Sequence, residues 1–340
     1  MKANKINTFS RSGVEVTAMG FGAAPIGNIF RPIDESTSEA MIEKSWNAGI
    51  RYFDTAPMYG HGLSEVRVGH ALRWKPRNEF TLSTKVGRIL KPQAREKIDF
   101  TPWVNALPFE MQFDYSYDGT MRSIEDSIQR MGLERIDVAF IHDIDNFTHG
   151  KDAQPARFRE AMDGAYKALS QLRDEGVVKS IGVGVNEWQV CHQALIERDF
   201  DSFLLAGRYT LLEQEALDEF LPLCESRGAS IIIGGGFNSG ILATGATEKA
   251  KYNYAPAPAE IKQKVAKIEA VCEEFNVALP AAALQFVLAH PCVPSIIPGT
   301  RDVSQLQLNL DWINQAIPTE FWETLKKQQL IREDAPTPND

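Results

Sequence analysis

Short apolar runs recur along the chain. Most are separated by longer stretches whose apolar positions repeat at helical spacing, and that alternation predicts the elements. Residues 5–24 read as a hairpin turning at Arg11-Ser12-Gly13, then a strand that ends in small residues. A helix runs from Ser36 through Ala48, with Ser36 and Glu39 as a capping box and Gly49 as the stop. Further strands are predicted at 50–53, 80–83, 137–141, 180–183, 203–205, 230–233 and 295–297. Helices are predicted at 64–72, 119–131, 155–174, 188–198, 215–227, 259–275, 280–289, from Asp302 with Gln305 completing a capping box, and at 319–330. The tail, 333–340, is polar and reads as frayed. Two stretches, 86–116 and 246–258, break the rhythm and are rich in Pro and aromatics. Loops of that length read as ordered covers over a site.

Counted from the strand near residue 18, eight strands are each followed by a helix. Strict alternation means parallel strands with right-handed crossovers. Eight units in 340 residues fit an α/β fold of the (β/α)8 TIM-barrel type, with an N-terminal β-hairpin and extra C-terminal helices. No Gly/Ser-rich linker divides the chain, so residues 1–340 read as one domain. A doubly wound sheet fits less well, because no GxGxxG follows the first strand. The net charge of −9 removes any expectation of nucleic-acid or membrane-surface binding. No apolar run approaches the roughly 20 residues that span a bilayer. The N-terminus lacks an apolar signal core, and Cys191, Cys224, Cys272 and Cys292 are scattered, which suits reduced thiols and a cytoplasmic location.

The chemistry gathers around GIRYFDTAPMYG, residues 49–60. Taken singly, Asp54 reads as a turn former, Tyr59 as packing, Lys85 as a rim charge and His142 as a core histidine. In a barrel, however, Asp54, Lys85 and His142 end the second, third and fourth strands, and Tyr59 lies in the loop after the second. All four then face one mouth, where barrel enzymes place their chemistry. His142, Asp143 and Asp145 have metal-ligand character, but Lys85 would oppose a cation, and no metal is expected.

The chain resembles the aldo-keto reductase family over nearly its whole length. The matching motifs are FDTAPMYGHGLSEVRVGHAL, STKVG, GLERIDVAFIHDID, SIGVGVNEW and PSIIPGT, in the family's order. FDYSYDGTMRSIEDSIQRMGL, IHDID and FNSGILATG are similar to a narrower branch holding D-threo-aldose (L-fucose) 1-dehydrogenases, L-galactose dehydrogenases and a pyridoxal 4-dehydrogenase. The resemblance implies a catalytic tetrad of Asp54, Tyr59, Lys85 and His142. Tyr59 would exchange a proton with the substrate oxygen, Lys85 would lower its pKa, Asp54 would aim Lys85, and His142 would orient that oxygen.

The resemblance also implies a nicotinamide dinucleotide site without a Rossmann fold. Gly22 and Asp54 would border it and Asn186 would hold the carboxamide. Gly234, Gly235, Gly236, Phe237, Asn238, Gly240 and Leu242 would follow the pyrophosphate, and Pro298, Gly299, Thr300, Arg301, Gln305 and Asn309 the adenosine. Gly234–Gly236 alone reads as a flexible turn; in a barrel it suits backbone approach to phosphate, and the helix beginning near Asp302 offers free N–H groups. Three departures stand out. Glycine occupies the place of the aromatic that stacks on nicotinamide in many members. GVGVNEW replaces the usual serine before the asparagine. Gly299 and Gln305 stand where NADP-dependent members carry Lys and Arg, so NAD is expected over NADP, with Arg301 as a partial substitute.

The implied activity is oxidation of a free aldose at C1 to the lactone. The alternatives are pyridoxal oxidation, general aldehyde reduction and, in a different class, a non-enzymatic regulatory barrel. Asn28, Tyr59, His142 and Asp143 are the candidate polar partners of a sugar. Trp103 and Phe109 either cap its apolar face or only pack the insertion. Small molecules are the expected partners, with no nucleic acid and no membrane.

Overall fold

A computed structural model of the chain describes residues 1–338, so Asn339 and Asp340 of the polar tail lie outside the described residues. Eight strands form one parallel sheet, hydrogen-bonded in chain order. They are β1 (Phe21–Gly22), β2 (Tyr52–Asp54), β3 (Thr81–Val86), β4 (Val138–His142), β5 (Ser180–Val185), β6 (Ser202–Ala206), β7 (Ser230–Gly234) and β8 (Ser295–Ile297). The sheet closes on itself through parallel bridges Met19↔Ile296 and Gly22↔Gly299, with Gly20 N–H donating to Ile296 O at 2.8 Å. This is the expected (β/α)8 barrel. Among the described residues no single helix is long and apolar enough to cross a membrane, and all four cysteines are free and buried.

The two-residue period of the strands sorts their side chains into two cores. Phe53, Leu82, Ala139, Ile141, Ile181, Val183, Phe203, Leu205, Ile231, Ile233 and Ile296 pack outward beneath the helices. The alternate positions point inward, where Tyr52, Val138, Phe140, Leu204, Ile232 and Ile297 form a separate cluster with Phe9, Val14 and Val16. Those last three come from the N-terminal hairpin (Ile6–Thr8 with Glu15–Thr17), which plugs the bottom of the barrel. Small serines make room for it: Ser180 and Ser202 hydroxyls meet at 2.9 Å, and Ser10 N–H donates to Ser230 Oγ at 3.1 Å. Gly182 is required here, because a Cβ would fall 1.9 Å from Ser202 O and 2.9 Å from the Phe140 ring.

The top inward layer differs from the rest. β2, β3 and β4 contribute Asp54, Lys85 and His142, whereas β5, β6, β7 and β1 contribute Gly184, Ala206, Gly234 and Gly22. One half of the mouth is therefore polar and the other half almost free of side chains.

Several local expectations are corrected. The first helix, Glu35–Asn47, is capped by Asp34, whose side chain accepts from Thr37 N–H at 2.7 Å; Ser36 instead donates to Asp34. The helix expected at 155–174 starts earlier. A first turn from Asn146 is capped by Asp145, breaks at Gly150 (φ 73°), and the helix then continues through a π-helical turn at Ala161–Ala165. The expected helix at 215–227 splits into a 3-10 turn, Glu215–Leu217, and a helix, Phe220–Arg227. The 86–116 cover contains an antiparallel hairpin, Arg88–Pro92 with Phe109–Phe113. Ala335 in the tail is fully buried, so the described part of the tail is anchored there.

Phe9→Ala, at the bottom of the barrel, should cost about 3–5 kcal/mol of stability, the usual penalty for emptying a buried phenylalanine site. Denaturant unfolding measures it, and a loss below about 1 kcal/mol would mean that the hairpin is not part of the core.

A candidate active site at the barrel mouth

Lys85 lies at the end of β3 with 1% of its surface exposed, too deep to remain charged without partners. It donates to Asp54 Oδ2 at 2.8 Å and to Thr55 O at 2.9 Å. The other oxygen of Asp54 accepts from Ser83 at 2.6 Å, and the Ser83 hydroxyl meets Tyr52 OH at 2.9 Å. Pairing of Asp54 with Ser83 across β2 and β3 sets this arrangement. The Lys85 ammonium sits 4.7 Å from the centre of the half-buried Tyr59 ring, and the Tyr59 and His142 rings lie edge to face, 6.1 Å apart. The structure thus brings all four expected residues together.

The electrostatics correct one expectation. Burial raises the Tyr59 pKa, and the opposing pull of Lys85 does not cancel it, so the phenol stands at about 12 rather than below its usual value. Burial works against the Lys85 charge, but Asp54 and Tyr59 outweigh it and the ammonium is held above its ordinary pKa. Burial, then the Arg88 and Lys85 cations, push His142 well below the usual imidazole range, so its ring is neutral at physiological pH.

The insertion after β3 adds what the sequence left unassigned. Arg88, from its hairpin, donates to Asp143 Oδ2 at 2.8 Å, and the same oxygen lies 3.5 Å from His142 Nε2. Trp103 is buried with its ring 5.7 Å from Tyr59 and an indole N–H that has no partner among the described residues. Tyr115 OH reaches the backbone oxygens of His142 at 2.8 Å and Asp143 at 3.0 Å, fixing the loop after β4. Phe109 stays in the hairpin, where its carbonyl meets His61 Nδ1 at 2.6 Å. The Asn28 carbonyl is taken up by the fold: its Oδ1 accepts from Ile33 N–H and from Arg67, both at 2.9 Å.

On the side-chain-poor half lie the residues expected to hold a dinucleotide. Gly235 is exposed, and Gly236 is buried where a Cβ would fall 2.6 Å from Ile296 Cδ1, so backbone comes to the surface of this loop. Asn238 is occupied by the fold, accepting from Thr210 at 2.6 Å and donating to Gly207 O at 3.1 Å. Leu242 is wholly buried, and Phe237 is half-buried with its ring against Trp312. Asn309 is buried and donates to Thr300 Oγ1 at 3.1 Å. The helix Val303–Asn314 is capped by Asp302, which accepts from Gln305 N–H at 2.8 Å, while Gln305 Oε1 accepts from Arg301 N–H at 3.1 Å. Those two donors are therefore already taken. Arg301 has its pKa lowered by burial and by the neighbouring cation of Arg31, a pair of like charges that an anion would relieve. Exposed backbone and two neighbouring cations with no carboxylate partner among the described residues fit a pyrophosphate-bearing ligand.

Sequence reasoning missed Arg31, Arg88 and Tyr254. Tyr254 belongs to the 246–258 insertion, which the aromatic content had marked as a cover. Its hydroxyl donates to Asn186 Oδ1 at 3.4 Å, its N–H donates to Ser239 at 2.9 Å, and its ring lies 5.9 Å from Phe147. It is the aromatic placed beside Asn186 where the strand itself offers glycine.

Comparison with known proteins agrees with this geometry. The profile of the Aldo/keto reductase family matches residues 18–329. A pyridoxal 4-dehydrogenase of Microbacterium luteolum is 44% identical, covering 97% of this chain and 99% of that protein. A D-threo-aldose 1-dehydrogenase of a Pseudomonas species is 39% identical, covering 96% and 97%. Among solved structures, the holo form of an aldo-keto reductase from Bacillus halodurans superposes with a TM-score of 0.75 at 23% identity, covering 99% of this chain and 98% of that one.

Because its pKa is depressed, His142 should show no imidazole titration between pH 6 and 8 in histidine-selective NMR. A resonance that titrates near 6.5 and disappears in His142→Gln would contradict the neutral assignment.

Proposed function

The chain belongs to the aldo/keto reductase family, and from that premise we propose that it oxidises the hemiacetal carbon of a free aldose to the lactone, with NAD as electron acceptor. The observation that carries this reading is the packing of Tyr59 edge to face with a neutral His142, beside a Lys85 fixed by a buried ion pair. Oxidation of a hemiacetal removes a hydride from carbon and a proton from oxygen. His142 holds the oxygen by a hydrogen bond and adds no charge of its own. Tyr59, in its phenolate form, takes the proton. A phenol held at about 12 is closely matched to a sugar's weakly acidic anomeric hydroxyl, so the transfer has little uphill component. Lys85 stabilises the phenolate side of that exchange, and Asp54 keeps Lys85 in place.

Oxidised nicotinamide, when bound, supplies the hydride acceptor. The Gly234–Gly236 loop, Asn186, Arg31 and Arg301 are the residues that would hold its carrier. NAD is preferred to NADP on this reading, because neither Gly299 nor Gln305 offers a cation to a 2′-phosphate.

A second reading is pyridoxal oxidation, favoured by the 44% identity to a pyridoxal 4-dehydrogenase. Pyridoxal in water also closes to a cyclic hemiacetal, so the bond broken and the roles of Tyr59 and His142 are the same.

NADH formation by the purified protein at mildly alkaline pH, with L-fucose, D-arabinose, L-galactose, D-glucose and pyridoxal, tests the two readings. One of the first three sugars should be the best substrate, and turnover of pyridoxal alone would transfer the protein to the second. Activity should climb with pH through 7–10 without a plateau, since the Tyr59 proton leaves only at about 12. Tyr59→Phe should lower kcat by at least about a thousandfold, within the range general acid–base groups supply; unchanged turnover would remove the tetrad assignment. The kcat/KM for NAD should exceed that for NADP by tenfold or more, and the reverse order would sink the coenzyme argument.

A further inference from the structure

Asp143 has no part in the hydride and proton chemistry described above, yet few residues at the mouth are held as tightly. Its backbone is in the left-handed region (φ 52°), a conformation that costs free energy for a residue other than glycine. Its N–H donates to Gly184 O at 2.9 Å, and Tyr115 OH reaches its carbonyl at 3.0 Å. The side chain is 10% exposed. Oδ2 accepts from Arg88 Nη2 at 2.8 Å and lies 3.5 Å from His142 Nε2. The second oxygen, Oδ1, accepts no hydrogen bond among the described residues and is not sealed off with the buried unpartnered atoms. A carboxylate tethered by one oxygen, with the other left free beside the group that orients the substrate, is poised to receive a proton donor.

We propose that Asp143, braced by Arg88, is a specificity-determining residue that accepts a hydrogen bond from the hydroxyl on the carbon next to the hemiacetal carbon, so that the enzyme selects aldoses with a free 2-hydroxyl. This deepens, and rests on, the aldose reading above. The geometry follows from what His142 holds. An oxygen bound to Nε2 lies about 3 Å from it, and the oxygen on the adjacent carbon is one further step along, on the side where the Asp143 carboxylate stands 3.5 Å from the same nitrogen. A purely structural ion pair between the hairpin and the loop after β4 would have no reason to leave Oδ1 unpaired at the mouth.

The same arrangement separates the two substrate classes. The carbon next to the reacting carbon of pyridoxal is a ring carbon without an oxygen, and the nearest ring oxygen, one carbon further on, is a phenolate at neutral pH that offers no proton and meets a carboxylate. Arg88 is already committed to Asp143, and its remaining Nη1 is sealed from solvent, so it is not free to compensate.

The test compares kcat/KM for the best aldose of the panel with that for its 2-deoxy analogue; for D-arabinose the analogue is 2-deoxy-D-ribose, which differs only at C2. Wild type should prefer the hydroxylated sugar by about 10- to 100-fold, the usual strength of a hydrogen bond to a charged group. In Asp143→Asn, and in the charge-balanced double variant Arg88→Met with Asp143→Leu, that ratio should fall at least tenfold, while pyridoxal gains relative to the aldose. Dividing one ratio by the other removes the intrinsic reactivity difference between the sugars. Equal use of both sugars by wild type overturns the inference and leaves the aldose reading standing, as does an unchanged ratio in variants whose melting shows them folded. Should neither variant fold, the wild-type ratio decides alone. Failure to oxidise any aldose overturns both.

Discussion

A lysine that must remain charged in a dry interior is the constraint on which this structure depends. Lys85 and Asp54 are each 1% exposed, and removing either partner of such a pair leaves an uncompensated charge at a cost of about 3–5 kcal/mol. The pair is made tolerable by further hydrogen bonds, from Lys85 to Thr55 O and from Ser83 to Asp54, with Ser83 in turn meeting Tyr52. Those partners come from adjacent strands in fixed register, so a slip of one residue between β2 and β3 would carry Asp54 to the outer face and strand the ammonium. The barrel is thus the framework that makes a permanent cation available beside a phenol, and the phenol's response is governed by burial as much as by that cation.

The same alternation that separates the two cores divides the mouth. Outward positions are apolar on every strand and hold the helices. Inward positions change character with height, from serines that admit the hairpin, through an apolar middle, to a top layer in which three strands carry ionisable groups and four carry glycine or alanine. Chemistry and space therefore come from different strands.

The sequence made the barrel legible because eight apolar runs alternated with helical spacing, and it made the four clustered residues legible because strand ends in a barrel must converge. What it could not show were competitions between neighbours. Asp34 and Ser36 are both competent caps, and only the chain's path selects the aspartate. The helix expected from residue 155 is preceded by a turn of helix from Asn146, ahead of Gly150. Asn238 and the side-chain oxygen of Asn28 looked available for a ligand and are occupied by the fold. The influence of Lys85 on Tyr59 was readable from their convergence at the barrel mouth, whereas the opposing effect of burial required coordinates. Tyr254 and Asn186 meet across 68 positions of the chain, and Arg88 and Asp143 across 55, distances at which no local pattern carries information.

The hairpin that plugs the barrel has a consequence for the chain's birth. Its partners lie far downstream: Ser10 meets Ser230, Asn7 meets Pro294, and Ala3 meets Asn314 across 311 positions. β1 likewise finds its second neighbour only when β8 arrives. During synthesis at about 5–20 residues per second, the hairpin therefore waits tens of seconds for its downstream partners. Throughout that interval the nascent sheet has two open edges and an unsealed apolar lumen, the condition under which chaperones engage and sheets of neighbouring chains pair.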